Sequence, residues 1–173
     1  VDAQYPSAVS SGNVETSQRI VDALFDAFAK VMPRMIPAES CGSMNNVLFG
    51  GVDTRCTPSR PFVHYETLGG GSGAGPDGDG ISGIHVHMTN TQNTPVESLE
   101  QHFPVLIRSY KLGPSSKTRQ NQYSGGRGIE RHYQFMTQTT VTVVAERHVI
   151  APAGRNGAAP GQRGTAYFVD KDG

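Results

Sequence analysis

Two histidines separated by one residue, His85 and His87, are the most direct candidates for chemistry in this sequence. Alternate residues of a strand point to the same face, so both imidazoles would lie side by side on a short strand predicted over residues 84–88. Such a pair can bind zinc or manganese, with Asn90 or Glu97 nearby in sequence. The pair can equally form hydrogen bonds in a polar interior or face solvent, because two ligands alone do not define a metal site.

A similar pair, His64 and Glu66, alternates within the preceding predicted strand, which covers residues 61–67. If the two strands pair, four polar side chains converge beside the glycine-rich segment that begins at Gly69. Residue types alone make this group the best candidate for a functional surface.

The glycine-rich segment from Gly69 to Ala74 has the form G-x-G-x-x-A and follows a predicted strand. A dinucleotide site also needs a helix that opens directly on the loop, whereas residues 76–80 read Pro-Asp-Gly-Asp-Gly, which is typical of a turn. No Gly-Lys-Ser/Thr follows, which excludes a P-loop. Gly69, Gly70 and Gly71 can either line a substrate pocket, where glycine lets a ligand approach the backbone, or form a purely structural turn.

Residues 89–94 are dense in amides and hydroxyls and precede Pro95, which suits the first turn of a helix. Thr94 is predicted to cap that helix. The remaining amides, Asn90, Gln92 and Asn93, are candidates to hydrogen-bond a polar amide ring or a carboxylate.

Catalytic residues are not predicted from these motifs. The sequence contains neither H-E-x-x-H nor G-x-S-x-G. Cys41 lies in a small-residue segment, and a buried structural thiol is favoured there over a nucleophile, whose base the sequence cannot place. Cys41 and Cys56 are the only cysteines, and this favours a reducing compartment and a cytoplasmic location.

A helix and a series of strands must position these residues. Apolar residues recur at helical spacing between residues 14 and 32, which predicts an amphipathic helix with Asp22 and Asp26 on its other face. A short helix is predicted over residues 95–102. Strands are predicted over residues 47–49, 61–67, 84–88, 105–112, 128–136, 139–150 and 166–170. The fold class is therefore α+β, with one N-terminal amphipathic helix and a mostly antiparallel, β-rich body with long Gly/Pro-rich loops.

Composition limits the classes of function. Lys and Arg total 15, as do Asp and Glu, so there is no basic field to attract nucleic acid or an anionic membrane. No apolar run approaches the roughly 20 residues of a membrane helix. Apolar residues make up 36% of the chain, beside 21 Gly and 11 Pro, which is lean for this length. We expect residues 1–173 to form a single domain or a fragment. In the second case, another polypeptide supplies the missing apolar surface.

Several motifs occur in order along nearly the whole chain. They are Gly12-Asn13-Val14-Glu15-Thr16, Met44-Asn45-Asn46, Tyr65-Glu66-Thr67-Leu68-Gly69-Gly70-Gly71-Ser72-Gly73-Ala74, His85-Val86-His87-Met88-Thr89-Asn90-Thr91 and Ser124-Gly125-Gly126-Arg127-Gly128. Together they resemble the hydantoinase B / 5-oxoprolinase family, which includes acetone and acetophenone carboxylase subunits. The resemblance is to the C-terminal portion of the B-type subunit.

This resemblance implies a component of an ATP-dependent hydrolase that opens cyclic amides such as hydantoins and 5-oxoproline. In the family, a hydantoinase A-type subunit carries ATP with Mg and activates the substrate oxygen by phosphorylation. The B-type subunit then helps to complete hydrolysis, or carboxylation in the carboxylase branch. Family B-type subunits are much longer than this chain, and the resemblance implies that a possible divalent metal lies in their N-terminal half. No metal ligand is carried over to the present positions.

The chain is therefore expected to supply a pocket wall and a partner interface and to be inactive alone. The pocket candidates are Glu66, Gly69, Gly70, Gly71, His85, His87, Asn90 and Asn93. The expected partners are the A-type subunit, the N-terminal part of the B-type subunit and a small cyclic-amide substrate, in a hetero-oligomer without nucleic acid or membrane. A ketone carboxylase component and a non-catalytic scaffold for the A-type subunit stay open as alternatives.

Overall fold

Two helices and three small antiparallel sheets make up the part of the chain that the computed structural model describes, which is residue 4 and residues 10–115 and 122–169. The helices are α1 (Ser10–Ala29) and α2 (Val96–His102). The strands are β1 (Asn46–Asp53), β2 (Arg60–Thr67), β3 (Gly70–Gly71), β4 (Ser82–Ile84), β5 (Val105–Leu112), β6 (Ile129–Phe135) and β7 (Thr139–Val144). All strand pairs are antiparallel, which confirms the predicted α+β class.

Strand β1 is the middle strand of the largest sheet, whose order is β2-β1-β7. Side chains alternate across a strand, and Val47 and Phe49 therefore point to the same, buried face. The Phe49 ring lies 5.2 Å from the ring of Phe135 on β6, and Leu99 of α2 and Val105 of β5 complete the cluster. The β1 sheet thus packs one face against α2 and the β5–β6 pair.

The glycine-rich segment folds back on itself, because β3 pairs with β4. Strand β2 pairs with β1 and not with β4, so the predicted pairing that would bring His64 and Glu66 beside His85 and His87 is wrong. The strand predicted over residues 84–88 already ends at Ile84. His87 has a φ of 55°, a left-handed conformation that is incompatible with continuing a strand.

Helix α1 confirms the predicted N-terminal helix, but part of its apolar pattern faces outward while polar residues face inward. Gln18 and Asp22 are fully buried, whereas the apolar side chains of Ile20, Leu24 and Phe28 are exposed. The reason is the surface that α1 meets. Its inward residues hydrogen-bond to loop residues, which are Ser40, Met44, Val86 and Arg147.

Three local predictions were wrong. The strand predicted over residues 139–150 ends at Val144, after which the chain turns and brings Arg147, with a φ of 68°, against α1. Residues 166–169 form no strand and are exposed, and the last residue of that prediction lies outside the described residues. Helix α2 begins after Pro95 without a side-chain cap, so Thr94 does not cap it.

Neither of the two helices in the described part of the chain has the length and hydropathy needed to cross a bilayer.

Candidate functional site

A cleft of about 350 Å³ is formed where β4, the segment before α2 and the β5–β6 pair meet. Small-molecule sites have volumes of roughly 300–1,000 Å³. The described residues that line the cleft are Gly69, Gly83, His85, Thr91, Gln92, Asn93, Tyr110 and Ile129. None of these lining residues is Lys, Arg, Asp or Glu. The described wall of the cleft is therefore built from neutral hydrogen-bonding groups.

The side chain of Asn93 is held in one orientation by two acceptors behind the cleft. Its Nδ2 donates to the backbone carbonyl of Thr67 at 2.8 Å and to Oε2 of Glu66 at 3.1 Å. Because both neighbours are acceptors, the amide nitrogen must face them and the amide oxygen must face away. Oδ1 accepts a hydrogen bond from the Tyr110 hydroxyl at 3.1 Å and has a second lone pair for a ligand. Asn93 thus presents an acceptor to the cleft.

Glu66 lies beneath the cleft as a buried carboxylate and is not part of its lining. Its Oε2 accepts a hydrogen bond from Nη1 of Arg131 at 2.9 Å, and its Oε1 accepts one from the Tyr133 hydroxyl. Burial, together with the charge of Glu66, raises the pKa of Tyr133, so this hydroxyl stays protonated and donates. The Arg131 guanidinium lies 4.6 Å from the centroid of the Tyr110 ring. Glu66 therefore fixes the groups that support the wall.

His64, the other member of the predicted pair on β2, belongs to the aromatic core. Its ring centroid lies 5.0 Å from that of Phe49 and 4.9 Å from that of Phe103. Burial lowers the pKa of His64, and its Nε2 is 4.0 Å from Oε2 of Glu66. An uncharged imidazole in this position acts as a packing group.

His85 lines the cleft beside two linked hydroxyls. Its Nε2 lies 3.1 Å from Oγ1 of Thr91, which in turn hydrogen-bonds to Oγ1 of Thr67. Burial lowers the pKa of His85, so the imidazole is uncharged at neutral pH. The cleft therefore contains an imidazole that burial keeps uncharged.

Gly70 and Gly71 serve close backbone packing and are not among the lining residues. A Cβ added to Gly70 would lie 2.2 Å from Cβ of Cys41, and one added to Gly71 would lie 2.2 Å from the carbonyl oxygen of Gly126. Gly70 and Gly71 thus have the structural role, which was one of the two predicted for this segment, whereas Gly69 lines the cleft. Burial raises the pKa of the Cys41 thiol, which agrees with the predicted structural role.

His87 contacts helix α1 and does not line the cleft. Its Nε2 lies 2.7 Å from Oδ1 of Asp22 and 3.1 Å from Oγ of Ser40. Arg147 donates to Oδ2 of Asp22 at 2.9 Å and forms an ion pair with Glu39. A serine–histidine–aspartate relay uses both ring nitrogens, whereas here one nitrogen makes both contacts. We therefore assign this buried network to the attachment of α1.

Two arrangements that the sequence raised, a metal site and a glycine-rich dinucleotide loop, can be compared with the described residues. They contain no group of three His, Cys, Asp or Glu side chains that could hold a metal. His85 and His87 are directed to different partners, so they do not form the two-ligand arrangement that their spacing allows. The glycine-rich segment leads through turns into β4 and not into a helix. The described side chains of the cleft can bind and orient a ligand and exchange a proton with it.

The cleft combines predicted and unpredicted residues. Gly69, His85 and Asn93 come together in its lining, as does Gln92. Asn90 is exposed and is not a lining residue. Sequence reasoning missed Tyr110. The only sequence signal for it was its place in a predicted strand, and only the β5–β6 register, which sets Tyr110 opposite Arg131, brings it to the site.

These observations define an α+β fold with a cleft lined largely by neutral, hydrogen-bonding groups. The family model described as Hydantoinase B/oxoprolinase matches residues 1–172, and the chain belongs to this family. This result confirms the family that the motifs predicted.

Individual relatives agree with this assignment. The chain is 42% identical over 166 residues to 5-oxoprolinase 1 of Arabidopsis thaliana, a match that covers 96% of this chain and 12% of the relative. It is 43% identical over 173 residues to an uncharacterized protein of Methanocaldococcus jannaschii, covering 100% of this chain and 29% of the relative. It is 34% identical over 173 residues to a 5-oxoprolinase of Dictyostelium discoideum, covering 100% of this chain and 12% of the relative. The chain thus spans a small part of each relative's length. No solved structure matches it.

Proposed function

We propose that this chain forms one wall of the substrate cleft in an ATP-dependent cyclic-amide hydrolase of the hydantoinase or 5-oxoprolinase type. In this proposal it works within a hetero-oligomer that contains an A-type subunit and the rest of a B-type subunit. The A-type subunit holds ATP with Mg, and any divalent metal is held by the rest of the B-type subunit. Support comes from the family and from relatives named as 5-oxoprolinases.

The fixed orientation of Asn93 is the observation that carries the proposal. A cyclic amide presents ring N–H donors beside carbonyl acceptors and has no charge on the ring. Oδ1 of Asn93 can accept a ring N–H, and the hydroxyl of Thr91 and the amide of Gln92 can donate to a ring carbonyl. A neutral wall suits the uncharged ring, because its polar groups can hydrogen-bond to neutral partners.

Orientation of the ring is the main contribution that these residues can make to ring opening. A ring held by several hydrogen bonds to the segment between β4 and α2 loses its freedom of rotation before the reaction, which lowers the barrier of the following step. His85, uncharged at neutral pH and linked to Thr91, can accept a proton from a water molecule or from the substrate at the cleft.

A reconstituted assembly tests the proposal. This chain is combined with the remaining part of a B-type subunit and an A-type subunit from the same organism, and ring opening of hydantoin and of 5-oxoproline is followed with and without ATP. We expect ATP-dependent opening of at least one ring and a large loss with His85→Ala. His132→Ala is the matched control, because His132 is exposed on β6 and pairs with Glu130 outside the cleft lining.

Other outcomes contradict the proposal in recognisable ways. A product that forms only with bicarbonate would assign the chain to a carboxylase. Tight binding of the A-type subunit, combined with ring opening that His85→Ala leaves unchanged, would assign it a scaffold role.

A further inference from the structure

Helix α1 presents an apolar stripe to solvent. Ile20, Leu24 and Phe28 follow one another at four-residue spacing and are 54%, 50% and 45% exposed, and Val31, just beyond the helix, is 76% exposed. At 100° per residue, the three helical positions lie within about 80° of the circumference. An amphipathic helix of a globular protein normally buries such a stripe. An exposed apolar stripe of this kind marks an interaction surface.

The opposite face of α1 prevents the helix from turning this stripe inward. Nε2 of Gln18 donates to the carbonyl of Val86 and to Oγ1 of Thr89, both at 3.1 Å. Asp22 is bound by His87 and Arg147. Rotation of the helix would strip these buried polar groups of their partners, which is strongly unfavourable away from water. The outward direction of the stripe is thus built into the fold.

The character of the stripe indicates a permanent interface. The charged residues of α1 lie away from it, and they are engaged by this chain itself, as in the ion pairs of Arg19 with Asp22 and of Arg155 with Asp26. Permanent interfaces resemble a protein core cut in two, whereas transient ones are as polar as the remaining surface. An uncharged helical stripe of large apolar residues matches the first kind.

A longer relative shows how much further polypeptide accompanies the matched segment. The Methanocaldococcus jannaschii protein matches all of this chain, yet the match accounts for 29% of its length, so most of that polypeptide lies outside the matched segment. We infer that the apolar stripe of α1 is the docking surface for the rest of a hydantoinase B-type polypeptide, which buries Ile20, Leu24 and Phe28 beneath an apolar face of its own. This inference rests on the B-type subunit assigned in the proposed function.

Direct binding tests this inference without ATP or substrate, so its failure is distinguishable from failure of the proposed activity. The part of the M. jannaschii relative outside the matched segment is produced separately, and its affinity for this chain is measured by sedimentation. We expect binding that weakens at least tenfold with Leu24→Asp and with Phe28→Asp. Leu24→Gln is a second variant in case the charged variants fold poorly, because Gln has a similar size and helix propensity to Leu. It should also weaken binding.

Met136→Asp is the matched control. Met136 is 55% exposed at the turn between β6 and β7, so the same change is made at similar exposure away from α1. Circular dichroism melts check that each variant is folded. Binding that Met136→Asp leaves unchanged, and that the α1 variants reduce, supports the inference. It is overturned by absence of binding, by equal losses in all variants, or by self-association of the chain that Leu24→Asp abolishes, which would make a second copy the occupant.

Discussion

Replacing Glu66 by Gln would remove the charge that balances a buried guanidinium. The side chain of Arg131 is 0% exposed and that of Glu66 is 3% exposed, so water cannot screen the charge that is left behind. Removing one partner of a buried ion pair costs about 3–5 kcal/mol. Glu66 accepts hydrogen bonds from Arg131, Asn93 and Tyr133. The amide of Gln replaces one of the two accepting oxygens with an NH₂ donor, so at least one of these donors loses its acceptor. We expect Glu66→Gln to lower the free energy of unfolding by about 3–5 kcal/mol.

Urea denaturation followed by circular dichroism at pH 7 measures this loss. Glu130→Gln is the control, because Glu130 pairs with Lys111 and His132 on the exposed side of the β5–β6 pair and should change stability little. The double variant Glu66→Gln/Arg131→Met removes both charges and should be more stable than the sum of the single losses predicts. The reasoning is refuted if Glu66→Gln destabilises the chain no more than Glu130→Gln.

Two further predictions concern the supports of α1 and of the cleft. Burial of Asp22 opposes its ionisation, but the hydrogen bonds and charges of His87 and Arg147 outweigh burial and hold the pKa of Asp22 below its usual value. The ionised Asp22 therefore stabilises the fold above about pH 4, and this contribution is lost as the pH falls through the lowered pKa. The free energy of unfolding should fall more steeply in that range for the parent than for Asp22→Asn. Urea midpoints measured between about pH 2 and 5 test this. Gly71→Ala, whose Cβ would meet the Gly126 carbonyl oxygen, should cost roughly 1–3 kcal/mol or more, whereas Gly78→Ala, with nothing within 4 Å, should leave the thermal midpoint unchanged.

Periodicity located helix α1 but could not show which face is buried. The apolar spacing of Ile20, Leu24 and Phe28 is a local property, whereas burial depends on the surface that the helix meets. That surface consists of loops, with Ser40, His87 and Arg147 far apart in sequence. No spacing rule connects them, and the polar face of α1 therefore resembled a solvent face.

The candidate site was predictable where its residues are neighbours in sequence. Asn93 and His85 belong to one polar segment, and both were predicted to line a pocket. Their supports were not predictable, because the Glu66–Arg131 pair joins β2 to β6 and depends on how strands separated by long loops come together. His87 departs from its predicted direction because its positive φ turns the chain toward α1.

The Michaelis constants of two asparagine variants test the central claim most directly. Asn93 lines the cleft, and its amide oxygen has a second lone pair to accept a ring N–H beside the bond from Tyr110, whereas Asn90 is exposed and outside the lining. In the reconstituted assembly, Asn93→Ala should raise the KM for the cyclic amide roughly tenfold, the loss expected for one to two hydrogen bonds, and Asn90→Ala should leave it unchanged. Equal KM values for the parent and both variants would contradict the assignment of this cleft to the substrate.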